Sequence, residues 1–157
     1  MAYTYDYPRP AVTADILVFA DHGESLLLVR RAHDPYQGRW AFPGGFFDMG
    51  DADIEHTAAR ELREETGLTG IPLPLATVAS REGRDPRGRT LTVAFMADVQ
   101  RDAVTPTAGD DAAQARWFPL ADLPPLAFDH AEILQRALRH RQLLADAHTQ
   151  EHNTSQS

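Results

Sequence analysis

The segment from Asp53 to Gly67 constrains this chain most, because it combines the signals of one helix with three carboxylates on one face. Asp53 is a suitable N-cap residue, and Gly67 stands where a left-handed residue commonly ends a helix. Glu61, Glu64 and Glu65 follow an i, i+3, i+4 spacing, so at about 100° per residue they share one side. Like charges at this spacing repel by roughly 0.2–0.5 kcal/mol per pair. The repulsion requires an explanation, and a bound cation is one.

A divalent cation suits neighbouring carboxylates, because Mg²⁺ and Mn²⁺ prefer oxygen donors. The alternative is an ordinary solvated helix, in which Arg60 pairs with Glu64 at i,i+4 and Arg63 offsets the remaining charge. Upstream, Pro43-Gly44-Gly45 predicts a turn whose backbone amides and carbonyls can approach a ligand closely. The acidic cluster alone leaves both interpretations open.

The wider pattern resembles the catalytic box of the Nudix hydrolase family. The run Arg60-Glu61-Leu62-Arg63-Glu64-Glu65-Thr66-Gly67-Leu68 matches the core of that box, and Gly44-Gly45 resembles its glycine start. One departure concerns the first acid: Asp51 stands where the family has glutamate. Eight residues (52 to 59) separate it from Arg60, one more than in the family. Whether Asp51 or Asp53 orients Arg60 is therefore open at this stage.

The resemblance implies a metal site that holds Mg²⁺ or Mn²⁺. Its ligands would be the backbone carbonyl of Gly44 and the carboxylates of Glu61, Glu64 and Glu65. Arg60 would hold the glutamates in place. The residues with structural roles in the box would be Gly45, Asp51 and Gly67.

The general base that activates water is left open by the sequence. Glu64 or Glu65 would serve if the metal does not occupy it fully. Asp110 or Asp111, in the Gly-Asp-Asp loop before the last strand, would serve by moving towards bound substrate. We name Asp111 as the catalytic candidate from that loop, beside Arg60, Glu61, Glu64 and Glu65.

Length and composition bound the class of protein. A chain of 157 residues is long enough for one domain with a sizeable core. Its net charge of −8 disfavours general affinity for nucleic acid or anionic membranes. The absence of cysteine excludes disulfides, zinc-thiolate sites and thiol nucleophiles. No apolar segment resembles a signal peptide or a membrane span, so we expect a cytoplasmic protein.

The hydrophobic pattern predicts several short strands around the acidic helix. Ala11–Ala20 and Ser25–Ala32 read as a hairpin joined at Asp21–Glu24, and Asp129 with Glu132 resembles the capping box of a second helix. The other predicted strands span residues 39–42, 73–81, 89–99 and 115–120. We therefore predict an α+β fold of the α/β/α sandwich type. The resemblance implies a mixed central β-sheet flanked by helices, with the box as a loop–helix–loop.

The predicted organisation has three parts. Residues 1–10 form an N-terminal arm, residues 11–147 the Nudix domain, and residues 148–157 a disordered polar tail. The resemblance also implies a homodimer, with the tyrosine-rich arm contributing to its interface.

Outside the box, the chain is similar to the ADP-ribose pyrophosphatase branch of the family. The segments that carry this similarity include Arg9–Thr13, Gly38–Gly45, Arg84–Arg89, Ala115–Leu120 and Phe128–Leu134. Arginine pairs bidentately with phosphate, and tryptophan can stack on adenine. The substrate-binding candidates are Arg30, Arg84, Arg87, Arg89 and Trp40. The competing interpretation makes some of these arginines a solvated hairpin tip and Trp40 a core residue, with His130 structural.

The predicted function is Mg²⁺-dependent hydrolysis of a nucleoside diphosphate derivative, ADP-ribose, to AMP and ribose 5-phosphate. One alternative is a pyrophosphohydrolase of oxidised nucleoside triphosphates. Another is a non-catalytic nucleotide sensor, as in Nudix-derived regulators that bind DNA through an added winged helix. A third is a structural metal-binding domain without turnover. The polar tail and the negative charge lead us to expect a small-molecule nucleotide as partner, and neither nucleic acid nor membrane.

Overall fold

A computed structural model describes residues 2–104 and 114–154. Asp110 and Asp111, the candidate bases of the loop, lie outside the described residues. The strands are β1 (Ala11–Ala20), β2 (Ser25–Arg30), β3 (Trp40–Ala41), β4 (Gly44–Phe46), β5 (Leu75–Ala79), β6 (Thr90–Asp98) and β7 (Ala115–Pro119). The helices are α1 (Ile54–Thr66) and α2 (His130–Thr154).

These strands form one mixed sheet in the order β3-β2-β1-β6-β5, with β4 paired to β1 and β7 paired to β2. Strands β1 and β6 run parallel, and the other pairs are antiparallel. The predicted β1–β2 hairpin is present, with a short 3₁₀ turn at Asp21–Gly23. The mixed sheet and the hairpin are confirmed.

Strand β1 lies at the centre of the sheet and is covered on both faces. Leu17 and Phe19 point to the side where Ile133 of α2 packs. Ile16 points to the opposite side, against Leu62 of α1. Burial on both faces explains why the strand reads as an apolar run rather than an alternating one. The predicted α/β/α sandwich is confirmed.

Helix α1 has the boundaries that its local signals predict. The Oδ1 atom of Asp53 accepts a hydrogen bond from the amide of His56 at 2.7 Å. At the other end, Gly67 has φ of 77° and donates from its amide to the carbonyl of Arg63. Leu62 anchors the apolar side of the helix in the core. The side that carries Glu61 and Glu65 lies against strand β4.

The predicted capping box of α2 is wrong. The carboxylate of Asp129 accepts two hydrogen bonds from Arg84, and that of Glu132 accepts from Arg81 and Arg136. The first turn closes instead through backbone bonds, including one from the amide of Glu132 to the carbonyl of Asp129. Nearby arginines outcompete the backbone amides for these carboxylates, because bonds between charged groups are stronger.

Helix α2 also continues beyond its predicted end. The segment expected to be disordered from residue 148 is helical as far as Thr154, and residues 155–157 lie outside the description. His148 and Thr149 bond to the carbonyls of Leu144 and Ala145, which extends the helical pattern through polar residues. None of the helices in the described ranges is long and apolar enough to cross a membrane.

Candidate active site

The residue that orients Arg60 is Asp51. The Nε and Nη2 atoms of Arg60 lie 3.0 and 2.9 Å from the two carboxylate oxygens of Asp51. The hydroxyl of Thr57 and the amide of Asp48 also donate to this carboxylate. These bonds, led by those from Arg60, hold the pKa of Asp51 well below its usual range. Asp53 is used as the N-cap, so the longer loop leaves the acid–arginine pair intact.

Arg60 extends this pairing to the glutamates. Its Nη1 atom donates to Oε1 of Glu61 at 2.8 Å and lies 3.5 Å from Oε2 of Glu64. Its Nη2 atom donates to the carbonyl of Phe46 at 3.2 Å. The bonds to Asp51 and Glu61 raise the pKa of Arg60 despite its burial. Arg60 thus fixes the helix glutamates relative to strand β4.

Strand β4 brings two glycines against the acidic side of α1. The amide of Gly44 donates to Oε2 of Glu65 at 3.0 Å. A Cβ atom on Gly45 would collide with the carboxylate of Glu61, so only glycine leaves room for that side chain. Burial, followed by the charge of Glu61, raises the pKa of Glu65 to about 8. Burial also raises the pKa of Glu61.

The donor set fits a hard divalent cation. Across residues 2–104 and 114–154, no group of three or more acids or histidines surrounds one point as the side chains stand. Glu61 bonds to Arg60, and Glu65 bonds to the amide of Gly44. Burial and then the charge of Glu61 disfavour the ionised form of Glu65, and a cation bound beside it would favour that form. Glu61, Glu64 and Glu65 are the side chains that would hold such an ion.

A cleft of about 500 Å³ opens beside the box glycines. Its polar and aromatic lining includes Thr13, Asp15, Arg31, His33, Phe46, Arg84, Asp85, Arg87, Phe128 and His130. A smaller recess of about 140 Å³ shares Arg31 and His33 with the cleft and reaches Glu65. The acidic side of α1 therefore adjoins a cavity that carries several guanidinium groups.

Arg31 and Arg87 are cations that line the cleft, where Arg87 also donates two hydrogen bonds to Asp85 and Arg31 donates one to the carbonyl of Pro35. The guanidinium of Arg87 lies 4.8 Å from the ring centre of Phe46 and 5.3 Å from that of Phe128. Arg31 lies 4.8 Å from the ring centre of Phe128. Burial and the charge of Arg87 lower the pKa of Arg31, which remains a cation at neutral pH. Both would gain from a phosphate between them.

The other predicted substrate-binding residues occupy different places. Arg84 reaches the cleft, but its guanidinium forms a buried ion pair with Asp129, at 2.8 and 3.0 Å. Arg89 is exposed and is absent from the cleft lining. Trp40 packs edge-on against Phe118 in the core, 4.8 Å between ring centres. The structure does not bring these last two predicted residues to the cleft.

Arg30 lies at the edge of the site rather than within it. It lines the smaller recess with Glu65, and its Nε donates to the carbonyl of Gly38 at 3.2 Å. The sequence pattern predicts Arg30 as a substrate-binding residue, whereas the structure places its neighbour Arg31 in the cleft. Which of these two arginines faces the cleft depends on which side of the end of β2 is covered by other elements, and the local sequence does not indicate this.

The cleft residues that sequence reasoning missed are Asp15, Arg31, His33, Phe46 and Phe128. His130 was noted but interpreted as structural. Of these residues, only Asp15 is indicated by the local sequence, because it is an acid inside the apolar run of β1. The others follow strand ends or precede a helix, and only the fold brings them together.

Comparisons with known proteins agree with this geometry. The family model of the NUDIX domain matches residues 9–137. The ADP-ribose pyrophosphatase of Methanocaldococcus jannaschii is 40% identical over 133 residues, 85% of this chain and 76% of that protein. The ADPR responsive transcriptional repressor NtrR of Acinetobacter baylyi is 34% identical over 84% of this chain, which spans 54% of the repressor.

Among solved structures, the NUDIX domain of Shewanella oneidensis NrtR, crystallised with ADP ribose, has a TM-score of 0.78 and 32% identity. The similarity covers 88% of this chain and 94% of that one. The predicted fold and the resemblance carried by the box and its flanking segments are both confirmed.

Proposed function

Because this chain belongs to the NUDIX family and is a pyrophosphohydrolase, we propose that it hydrolyses ADP-ribose to AMP and ribose 5-phosphate in a reaction that requires Mg²⁺ or Mn²⁺. The observation that carries the proposal is the junction between two features of opposite charge. The acidic side of α1 meets a cleft in which Arg31 and Arg87 face the box glycines. A diphosphate bridging metal and arginines would satisfy both.

The side chains of the site would have three separate roles. Glu61, Glu64 and Glu65, with the carbonyl of Gly44, would hold the ion, and Arg60 would keep the glutamates in position. A bound divalent cation supplies charge neutralisation of the diphosphate and lowers the pKa of an attacking water. Arg31 and Arg87 would orient the substrate, since guanidinium groups pair bidentately with phosphate.

Two relatives linked to ADP-ribose support the choice of substrate. One is named an ADP-ribose pyrophosphatase, and the other is a NUDIX domain crystallised with ADP ribose. The aromatic rings of Phe46 and Phe128 in the cleft add surfaces on which a nucleobase can stack. A nucleoside triphosphate would meet the same metal and arginines, so substrate comparison is the decisive test.

A nucleotide-sensing role is the second candidate. It is favoured by the similarity to the ADPR responsive repressor, of which this chain spans about half. A sensor would bind ADP-ribose through the cleft and leave it intact. The retained set of Arg60, Glu61, Glu64 and Glu65 favours turnover, because binding alone does not require all four.

The test is a panel of ADP-ribose, NADH, dinucleoside polyphosphates and nucleoside triphosphates, read by the release of AMP, phosphate or pyrophosphate. We expect ADP-ribose to have the highest kcat/KM, with AMP as product and no turnover in EDTA. Glu64→Gln and Glu65→Gln should abolish most of this activity and retain the native circular dichroism spectrum. Glu55→Gln, an exposed glutamate of the same helix, is the matched control. A triphosphate as best substrate, or binding of ADP-ribose without cleavage, would replace the proposal by one of its rivals.

We also propose a cytoplasmic homodimer in which the N-terminal arm contributes to the interface. Tyr3, Tyr5 and Tyr7 are 57%, 43% and 80% exposed, an aromatic surface that a second copy would cover. Sedimentation of the full chain beside a variant lacking residues 2–8 tests this assembly. A monomer in both samples would contradict it.

A further inference from the structure

Asp15 is a buried acid in the wall of the cleft. It lies on β1 opposite Gly44 of β4, and only 8% of its surface is exposed. Its side chain shares a face of the strand with Leu17 and Phe19, which belong to the core beneath α2. An acid in this row costs desolvation energy unless it is well solvated by hydrogen bonds. Its position suggests a role towards the cleft rather than in packing.

The carboxylate of Asp15 has few donors. The hydroxyl of Thr92 donates to Oδ2 at 2.5 Å, and Nε2 of His130 lies 3.8 Å from the same oxygen. An ionised carboxylate has about four acceptor positions. In the described ranges, these are the partners of Asp15, and neither reaches Oδ1. The carboxylate can therefore accept further hydrogen bonds from a molecule in the cleft.

His130 presents a defined donor beside this acid. Its Nδ1 atom accepts a hydrogen bond from the amide of Phe42 at 3.2 Å, so the neutral ring carries its proton on Nε2. The ring is stacked on Phe42 with centres 4.4 Å apart. Burial lowers the pKa of His130, which keeps the ring neutral near pH 7. The cleft thus offers an acceptor and a neutral donor side by side.

Asp15 and Asp85 both line the cleft, but among the described residues only Asp85 has a guanidinium group at ion-pair distance. Asp85 pairs with Arg87 and Asp129 pairs with Arg84. A bare terminal phosphate placed against Asp15 would meet a like charge, which Arg31 offsets only in part from beyond ion-pair distance. A neutral hydroxyl would instead donate to the carboxylate and accept from the imidazole, which matches both groups.

We propose that Asp15 and His130 bind ribose hydroxyl groups, Asp15 as acceptor and His130 as donor. They would thereby favour a diphosphate linked to ribose over one that carries no ribose. The inference rests on the proposed function and adds a specificity-determining pair to it. Both riboses of ADP-ribose lie next to its diphosphate, so the test must also assign which one is bound.

The experiment measures equilibrium binding by calorimetry in EDTA, where turnover is absent, for wild type and Asp15→Asn. The probes are ADP-ribose, AMP, ribose 5-phosphate and, as a diphosphate without ribose, inorganic pyrophosphate. We expect Asp15→Asn to weaken ADP-ribose roughly tenfold to a hundredfold, the usual consequence of losing a charged acceptor for a hydroxyl. Pyrophosphate binding should be unchanged or tighter, because pyrophosphate offers no hydroxyl group to Asp15. Weakened AMP binding would assign the adenosine ribose, and weakened ribose 5-phosphate binding the distal one.

Two controls separate recognition from structure. Asp98→Asn removes an exposed carboxylate elsewhere in the protein and should leave every affinity within twofold. His130→Gln keeps a donor at that position and should lose less affinity than His130→Ala. Equal weakening of ADP-ribose and pyrophosphate by Asp15→Asn, or a changed Mn²⁺ affinity with unchanged binding of ADP-ribose, would overturn the inference. Because binding is measured without turnover, failure to hydrolyse ADP-ribose would refute the proposed function separately.

Discussion

The guanidinium of Arg60 donates two hydrogen bonds to the carboxylate of Asp51, at 2.9 and 3.0 Å, across a loop one residue longer than in the family box. The same guanidinium donates to Glu61. Through these contacts Asp51, which would not bind the metal, positions Glu61, which would. The shorter side chain of Asp51 is accommodated because the loop folds it directly beneath Arg60.

Asp51→Asn should lower metal affinity and kcat/KM by about 10- to 100-fold, the range for groups that orient metal ligands. The neutral amide offers one acceptor atom to Arg60 instead of two, so Arg60 and Glu61 lose their fixed geometry. The measurement is Mn²⁺ affinity by calorimetry, with ADP-ribose hydrolysis in parallel.

Asp53→Ala is the matched control for this variant. It removes the N-cap bond to His56, which costs about 0.5–2 kcal/mol of stability. Activity at a temperature where the protein stays folded should be unchanged. An Asp53 variant as defective in metal affinity as the Asp51 variant would show that helix stability, rather than orientation of Arg60, governs the site.

Gly45→Ala should remove activity while largely preserving the fold. The added Cβ would meet the carboxylate of Glu61, the mobile end of a side chain, so the glutamate would move rather than the backbone. We expect at least a tenfold loss of kcat/KM, with a small fall in Tm. Gly50→Ala, where a Cβ meets nothing within 4 Å, should change activity by less than twofold.

Gly44→Ala should behave differently from Gly45→Ala. Its Cβ would collide with the backbone carbonyl of Ala14, which cannot move without disturbing β1. The expected result is a clear loss of Tm together with activity. Similar Tm values for the alanine variants of Gly44 and Gly45 would contradict the assigned difference.

In the metal-free protein, stability should fall as pH rises towards 9, because of Glu65. Its pKa is raised to about 8 in the folded chain, from an ordinary value near 4.5. A protonated Glu65 therefore favours folding, an effect fully present below pH 4.5 and lost as pH rises through about 8. Thermal unfolding in EDTA from pH 5 to 9 measures the slope. Glu65→Gln should flatten it, and saturating Mg²⁺ should reverse it; a slope equal in wild type and variant would reject Glu65 as its source.

Alanine variants of three arginines between β5 and β6 should differ in their effects on stability and on KM. Arg84→Ala leaves Asp129 buried without its partner and should destabilise the fold by about 3–5 kcal/mol. Arg87→Ala should raise KM for ADP-ribose with a smaller loss of stability than Arg84→Ala, because Arg87 is partly exposed although it also pairs with the buried Asp85. Arg89→Ala, an exposed residue, should change neither by much. Denaturant unfolding and steady-state kinetics on the same samples measure both properties, and a KM raised equally by Arg87→Ala and Arg89→Ala would contradict the assignment.

The parts that sequence predicted are those with local causes. Helix α1 has its N-cap at Asp53 and its left-handed residue at Gly67, both within one short window. The hairpin at Asp21–Gly23 is likewise specified by neighbouring residues. The spacing of the glutamates then fixes their common face, because helix geometry leaves no freedom.

The cleft could not be predicted in the same way, because its residues meet only through tertiary structure. Asp15 meets Thr92 through the parallel pairing of β1 with β6, and His130 through the start of α2. Arg84 and Arg89 look equivalent in sequence, yet one is buried in an ion pair and the other is exposed. The predicted capping box at Asp129 is wrong for the same reason: Arg84, which is distant in sequence, forms an ion pair with this carboxylate.

Anomalous diffraction from crystals soaked in MnCl₂ tests the central claim most directly, since it locates the ion without reference to activity. The account predicts a manganese peak within about 2.0–2.3 Å of carboxylate oxygens from Glu61, Glu64 and Glu65, beside the carbonyl of Gly44. The soak should use an MnCl₂ concentration that supports ADP-ribose hydrolysis in solution. No peak on the acidic side of α1 under those conditions, or a peak held by other residues, would contradict it.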